Sequence, residues 1–165
     1  MNKQILFAVI PMLVGCLLIG SWNAYASLPC QPPLCQPSQS GTISSTQNGP
    51  DGNPEWKVSG TWDLTNLKSN SPTFNASFDM MKLDGSSMHK HTIAATITSA
   101  DFGRAGKSSI RTYSGTATIS MKEWPVTDVP IVIKLSSDDT MSIMPDSTKT
   151  KGHFGNTPIL GKTNV

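Results

Sequence analysis

Charge is scarce in this chain. Asp, Glu, Lys and Arg make up 15% of its 165 residues, against roughly 25% in ordinary globular domains. The signs nearly cancel, with 13 Lys and Arg against 11 Asp and Glu. A net charge of +2 lacks the basic footprint of a nucleic-acid-binding protein, so no nucleic-acid partner is expected. Glutamate occurs only at Glu55 and Glu123, and no His-Glu-x-x-His metalloprotease pattern is present. No window carries a sustained apolar 3.6-residue repeat, which argues against a helical bundle or coiled coil. Nothing after residue 26 is apolar for long enough to cross a bilayer as a helix. Hydroxyl residues take the place of charge: from Glu55 onward there are 15 Ser and 15 Thr.

The amino terminus reads as an export signal over residues 1–26. Lys3 supplies a short positive region, Ile5 to Gly20 is apolar except for Pro11, and Ala24-Tyr25-Ala26 is a small-x-small cleavage site. An uncleaved signal anchor is the main competitor. A third reading is a lipobox, Leu13-Val14-Gly15-Cys16, which would place a lipid on Cys16; either would give the only expected attachment to a membrane. Cleavage after Ala26 leaves two cysteines, Cys30 and Cys35. An even count in an exported chain reads as a disulfide, one that closes a short loop and restrains little chain entropy. Intermolecular pairing and metal binding are the alternatives. Residues 27–54 hold six of the twelve prolines and read as a semi-extended linker with no core of its own.

Residues 55–165 alternate. Trp56, Val58, Gly60, Trp62 and Leu64 share one face of a period-two pattern, as do Phe74, Ala76, Phe78 and Met80. Met81 and Leu83 then reverse the parity, which predicts a bulge or bend. Further apolar faces follow at Ile93-Ala95-Ile97, Tyr113 with Ala117-Ile119-Met121, Ile131-Ile133-Leu135, Met141-Ile143, and a short edge at Pro158-Ile159-Leu160. Turns are expected at Lys68 to Pro72, Asp84-Gly85, Asp101 to Lys107, Trp124 to Pro130 and Ser136 to Asp139. About seven short strands separated by turns predict an all-β domain, an antiparallel immunoglobulin-like sandwich. A small β-barrel is the alternative, and Gly60-Thr61-Trp62 resembles the Gly-x-Trp that opens a lipocalin barrel.

The most specific chemical feature is Met88-His89-Lys90-His91. On a strand, His89 and His91 project to one face, and neutral imidazoles at that spacing suit Cu(II), Zn(II) or Ni(II). Their parity continues into the core face at Ile93. His153, in a glycine-rich stretch, is the candidate third ligand, with Met88 as a thioether alternative suited to copper. The plainer reading is two solvated histidines at a strand start and methionines filling core gaps.

Other motifs are weaker. Gly103 to Ser108 lacks the first glycine and the following helix of a phosphate-binding loop and reads as a solvated glycine-rich turn; a small basic patch of Arg104, Lys107 and Arg111 is the alternative. Asn75-Ala76-Ser77 is a glycosylation sequon with Asn75 on the outward parity. No Gly-x-Ser-x-Gly elbow occurs, and the adjacent Asp138 and Asp139 read as turn residues. A secreted hydrolase is therefore the least favoured reading, and no enzyme is expected.

Ser87 to Ile93, Val129 to Ile133 and His153 to Ile159 resemble small exported proteins of ammonia-oxidising archaea. The resemblance implies an extracytoplasmic β domain in a setting of heavy copper use and transfers no functional residue. The sequence thus predicts a secreted or extracytoplasmic, non-catalytic binding or structural module whose partner is a cell-surface protein or glycan. The alternative is a copper-binding protein using His89 and His91.

Overall fold

The computed structural model of the chain describes residues 38–105 and 108–164. The export signal, the lipobox at Cys16 and the Cys30–Cys35 pair lie outside the described residues, as do the side chains of Arg104 and Lys107.

Eight strands are present: β1 (Gln39–Asn48), β2 (Pro54–Thr65), β3 (Thr73–Lys82), β4 (Met88–Ala105), β5 (Ser108–Ile119), β6 (Val126–Ser136), β7 (Thr140–Pro145) and β8 (Ile159–Thr163). Each pairs antiparallel with the next, and β8 pairs with β1, so the sheet closes into a barrel. The all-β expectation holds. The seven-strand sandwich does not, and the barrel alternative takes its place. The two architectures share the same alternation along each strand, so alternation does not separate them. The difference lies in β1, which falls inside the stretch read as linker. Its inward positions are Gly41, Ile43, Ser45 and Gln47, and only Ile43 is a large apolar residue.

Closure depends on close strand approach. Gly41 faces the β8 backbone, where a Cβ would collide with the Lys162 carbonyl and lie 2.6 Å from the Trp62 indole nitrogen. Trp62 Nε1 donates to that same Lys162 carbonyl at 3.2 Å, tying β2 to β8 across the end of β1. The β1–β8 seam itself has only three paired positions, Gly41 to Ile43 against Thr163 to Gly161. The Gly-x-Trp run thus sits at the closure.

The inward faces meet in one core. Trp62, Leu64, Phe74, Phe78, Met80, Ile93, Ile131 and Ile143 are all 2% exposed or less. An eight-stranded barrel is just wide enough for side chains to fill, and these fill it. Most outward positions are polar: Thr42, Ser44, Thr61, Thr92, Thr96, Thr116 and Thr118 are exposed, with Met81, Met144 and Leu160 as scattered apolar exceptions. That polarity is the reverse of a transmembrane barrel, whose outer band is apolar.

Two local expectations change. The pairing of β3 with both neighbours runs without a break through Met80 and Met81, so the expected bulge there is absent. Met81 simply faces out, 39% exposed. Register shifts occur instead at Gln47/Asn48, Ile97/Ser99 and Ala117/Ile119. Asp101 to Ala105, expected to turn, continues β4. Val126 to Pro130 likewise belongs to β6.

Candidate metal centre

The β3–β4 hairpin sets the first two histidines. Gly85, with φ 75°, makes the turn, the Ser86 amide donates to Asp84 Oδ1 at 2.8 Å, and the Lys82 amide donates to the Ser87 carbonyl. Register then places His89 opposite Met80 and His91 opposite Phe78. Both imidazoles point inward at the barrel rim where β2, β4 and β6 begin. His91 is 1% exposed, and His89 is half-buried.

The segment between β7 and β8 supplies the third. The Asp146 amide is anchored on the Pro130 carbonyl, and consecutive turns follow through Thr150 to Asp146, Gly152 to Ser147 and His153 to Thr150. Thr150 Oγ1 also donates to the Asp146 carbonyl at 2.9 Å. Lys151 and Gly152 both have positive φ, 51° and 69°. Two successive left-handed residues reverse the chain, at a strain cost for the lysine, and turn His153 and Phe154 back over the mouth. Phe154 is 3% exposed and plugs the rim, its ring centroid 6.0 Å from Phe78 and 5.0 Å from His91. Gln47 staples the far side of this segment: its Nε2 donates to the Pro158 carbonyl at 3.2 Å, and its Oε1 accepts from Thr157 Oγ1 at 2.8 Å.

The three imidazoles converge. His153 Nε2 lies 3.0 Å from His91 Nε2 and 3.2 Å from His89 Nε2. One ring nitrogen from each residue falls within a set no wider than 4.8 Å. Ligands at zinc–nitrogen distances around a tetrahedral ion stand about 3.3 Å apart, so the two short separations have the scale of a coordination edge. His91 Nδ1 lies 2.6 Å from the Ser120 carbonyl. A carbonyl only accepts, so Nδ1 carries the proton and Nε2 presents its lone pair to the cluster. Such a backbone acceptor behind a ligating histidine fixes its tautomer and orientation. Trp56 packs edge-on against His89 at 5.0 Å and is itself covered by Lys82, 5.5 Å from its ring centroid and 3.2 Å from Glu55.

All three histidines titrate below the ordinary imidazole range. Burial is the main cause for each. Lys122 lowers His89 further. For His91, the bond to Ser120 raises it against burial, and His89 lowers it. His153 is lowered to about 4, by burial and then by His91 and His89. The cluster is therefore neutral near pH 7, the form that binds metal. Nitrogen donors with no carboxylate or thiolate suit Cu(II), Zn(II) or Ni(II).

Of the residues singled out in the sequence, His89, His91 and His153 come together and Met88 does not. Met88 has the outward parity and is 68% exposed, whereas Met80 is the methionine facing inward beside His89. Asn75 is exposed on the outer face of β3 and donates to Asp63 Oδ2 at 3.1 Å. Among the described residues, no serine hydroxyl is hydrogen-bonded to an imidazole; the Ser120 hydroxyl accepts from the Thr92 amide at 2.7 Å. Phe154 and Gln47 are the residues that sequence reasoning missed. Gln47 is a buried polar side chain on a strand read as linker, and Phe154 carried only its adjacency to His153 as a signal. Comparison with protein-family models, curated proteins and solved structures finds no match to this chain.

Proposed function

We propose that this chain is an exported, non-catalytic metal-binding module that holds one transition-metal ion, copper foremost, on His89, His91 and His153. The observation that carries the reading is the convergence of three neutral imidazoles, two pairs 3.0 and 3.2 Å apart, drawn from two segments 62 residues apart in sequence. Bringing three half-dry imidazoles together costs desolvation, and metal coordination offsets that cost. Copper(II) heads the affinity order for such nitrogen donors. Two donors come from a fixed hairpin and the third from a stapled loop, so the ion would cross-link the loop to the barrel.

Equilibrium dialysis of the purified chain tests this. About one copper per chain should be retained, and the His89→Ala/His91→Ala variant should lose it. Retention by that variant would place the metal elsewhere, and no retention by the native protein at micromolar copper would end the proposal. The export part has its own test: the native protein should begin at Ser27 by mass spectrometry, and a start at Met1 contradicts cleavage.

A cell-surface partner is the second reading. Leu83 and Trp124, in turns, and Met88, the first residue of β4, are 57%, 80% and 68% exposed at the same rim as the histidines, where a protein or glycan would meet them.

A further inference from the structure

Three histidines leave at least one coordination position open on a tetrahedral ion, and the structure restricts where it faces. The inner side of the trio is closed by Phe78 and Phe154, 1% and 3% exposed, and Trp56 covers one edge of His89. The open side is the rim, where His89 and His153 are half-buried. There a cleft of about 310 Å³ runs between the β5–β6 turn and the β7–β8 segment, with His153 in its wall. Lys122, Lys149 and Lys151 line it against one acid, Glu123, and Met121 and Trp124 provide an apolar side. The larger cleft on the other side of His153 has no such surplus: of its lysines, Lys82 is paired with Glu55 and Lys151 is shared.

A divalent ion on three neutral imidazoles keeps its full charge, since no carboxylate belongs to the cluster. Lysines at its edge add to that positive field, and an anionic ligand answers both. Resting on the metal-binding reading above, we infer that the open position faces the Lys122–Trp124 cleft and takes a carboxylate with an apolar body. The carboxylate oxygen binds the ion in place of water beside Lys122. The apolar body lies on Trp124, 80% exposed in the chain alone, and on the half-buried Met121 beside it. The site is then a receptor for a metal–carboxylate pair, and neither component fills it alone.

The test is titration of the copper-loaded full chain with benzoate and with acetate, followed by the copper(II) d–d absorption. Benzoate should shift the band saturably and bind more tightly than acetate. Lys122→Gln should weaken both about tenfold, the scale of one charge-assisted contact. Trp124→Ala should weaken benzoate towards acetate and leave acetate unchanged. Both side chains are exposed, and copper stoichiometry checks that each variant keeps its fold and metal. One copper per chain with a band unmoved by millimolar benzoate overturns the inference and leaves the metal reading standing. Equal benzoate affinity in all three proteins also overturns it, because the cleft would then contribute nothing. Failure to retain copper overturns both.

Discussion

His91 Nδ1 donates to the Ser120 carbonyl at 2.6 Å, and this contact orients the innermost imidazole of the cluster. Ser120 is itself held from two sides of the same strand: its amide donates to the Thr92 carbonyl at 2.9 Å, and its hydroxyl accepts from the Thr92 amide. The histidine-bearing strand and its neighbour therefore lock each other just where β5 ends. The bond commits His91 to the Nδ1–H tautomer and aims Nε2 at His153.

The first prediction follows from that tautomer. Nitrogen-15 NMR of the metal-free protein near pH 7 should show His91 neutral with its proton on Nδ1. A predominant Nε2–H form would contradict the geometry. Because His91 Nε2 is then an acceptor, the N–H between it and His153 belongs to His153 Nε2. Metal uptake must move that proton to His153 Nδ1, and the His153 nitrogen shifts should exchange accordingly when zinc, a diamagnetic probe, is added.

Acid should destabilise the metal-free barrel. The three histidines are held below their unfolded value of 6.5, so the unfolded chain binds protons more readily than the folded one. Stability then falls as pH drops below about 6.5. For His153 the loss continues until pH passes its folded value of about 4. Denaturant midpoints taken at pH 7, 5.5 and 4.5 measure this. The His153→Gln variant should show a shallower decline, and an identical decline would assign the effect to other groups.

Phe154 closes the mouth beneath the cluster. Phe154→Ala removes a ring buried against Phe78 and His91 and should cost about 3 kcal/mol of stability. It should also weaken copper binding while leaving the three ligands in place, since His153 loses its packed neighbour. Phe154→Leu should recover most of both. Copper affinity unchanged in Phe154→Ala would show that the loop turns alone position His153.

Barrel closure makes a separate prediction. Gly41→Val drives side-chain atoms into the Lys162 carbonyl and the Trp62 indole. It should cost about 2 kcal/mol or more and break the Trp62–Lys162 bond. Hydrogen exchange should then rise first at the three-residue β1–β8 seam. Uniform exchange across all strands would mean that closure is spread around the barrel.

Strands β2 to β7 were readable because their inward positions are largely apolar while polar residues, many of them Ser and Thr, mostly face out, and β8 was readable only as the short Pro158-Ile159-Leu160 edge. Strand β1 was hidden because its inward positions are Gly41, Ser45 and Gln47 beside a single Ile43. A small or polar inward face reads as linker, and without β1 the remaining strands suggest two open sheets. The His89–His91 pair was legible from strand parity alone, since that needs only the two-residue period. His153 was legible only as a candidate: its approach depends on two left-handed residues and a Gln47 staple, neither of which has a periodic signature. Met88 was misplaced because adjacency to His89 suggested a shared site, whereas neighbouring residues on a strand face opposite ways. The scarcity of charge acquires a structural meaning here. The outer wall is a hydroxyl surface, and at the histidine rim uncharged imidazoles stand beside a small excess of lysines.

The most direct test of the central claim is electron paramagnetic resonance of the copper(II)-loaded chain, compared with His153→Ala. The account predicts superhyperfine coupling to three imidazole nitrogens in the native protein and to two in the variant, with weaker binding. A native spectrum showing fewer than three nitrogens, or one unchanged by removing His153, would contradict it.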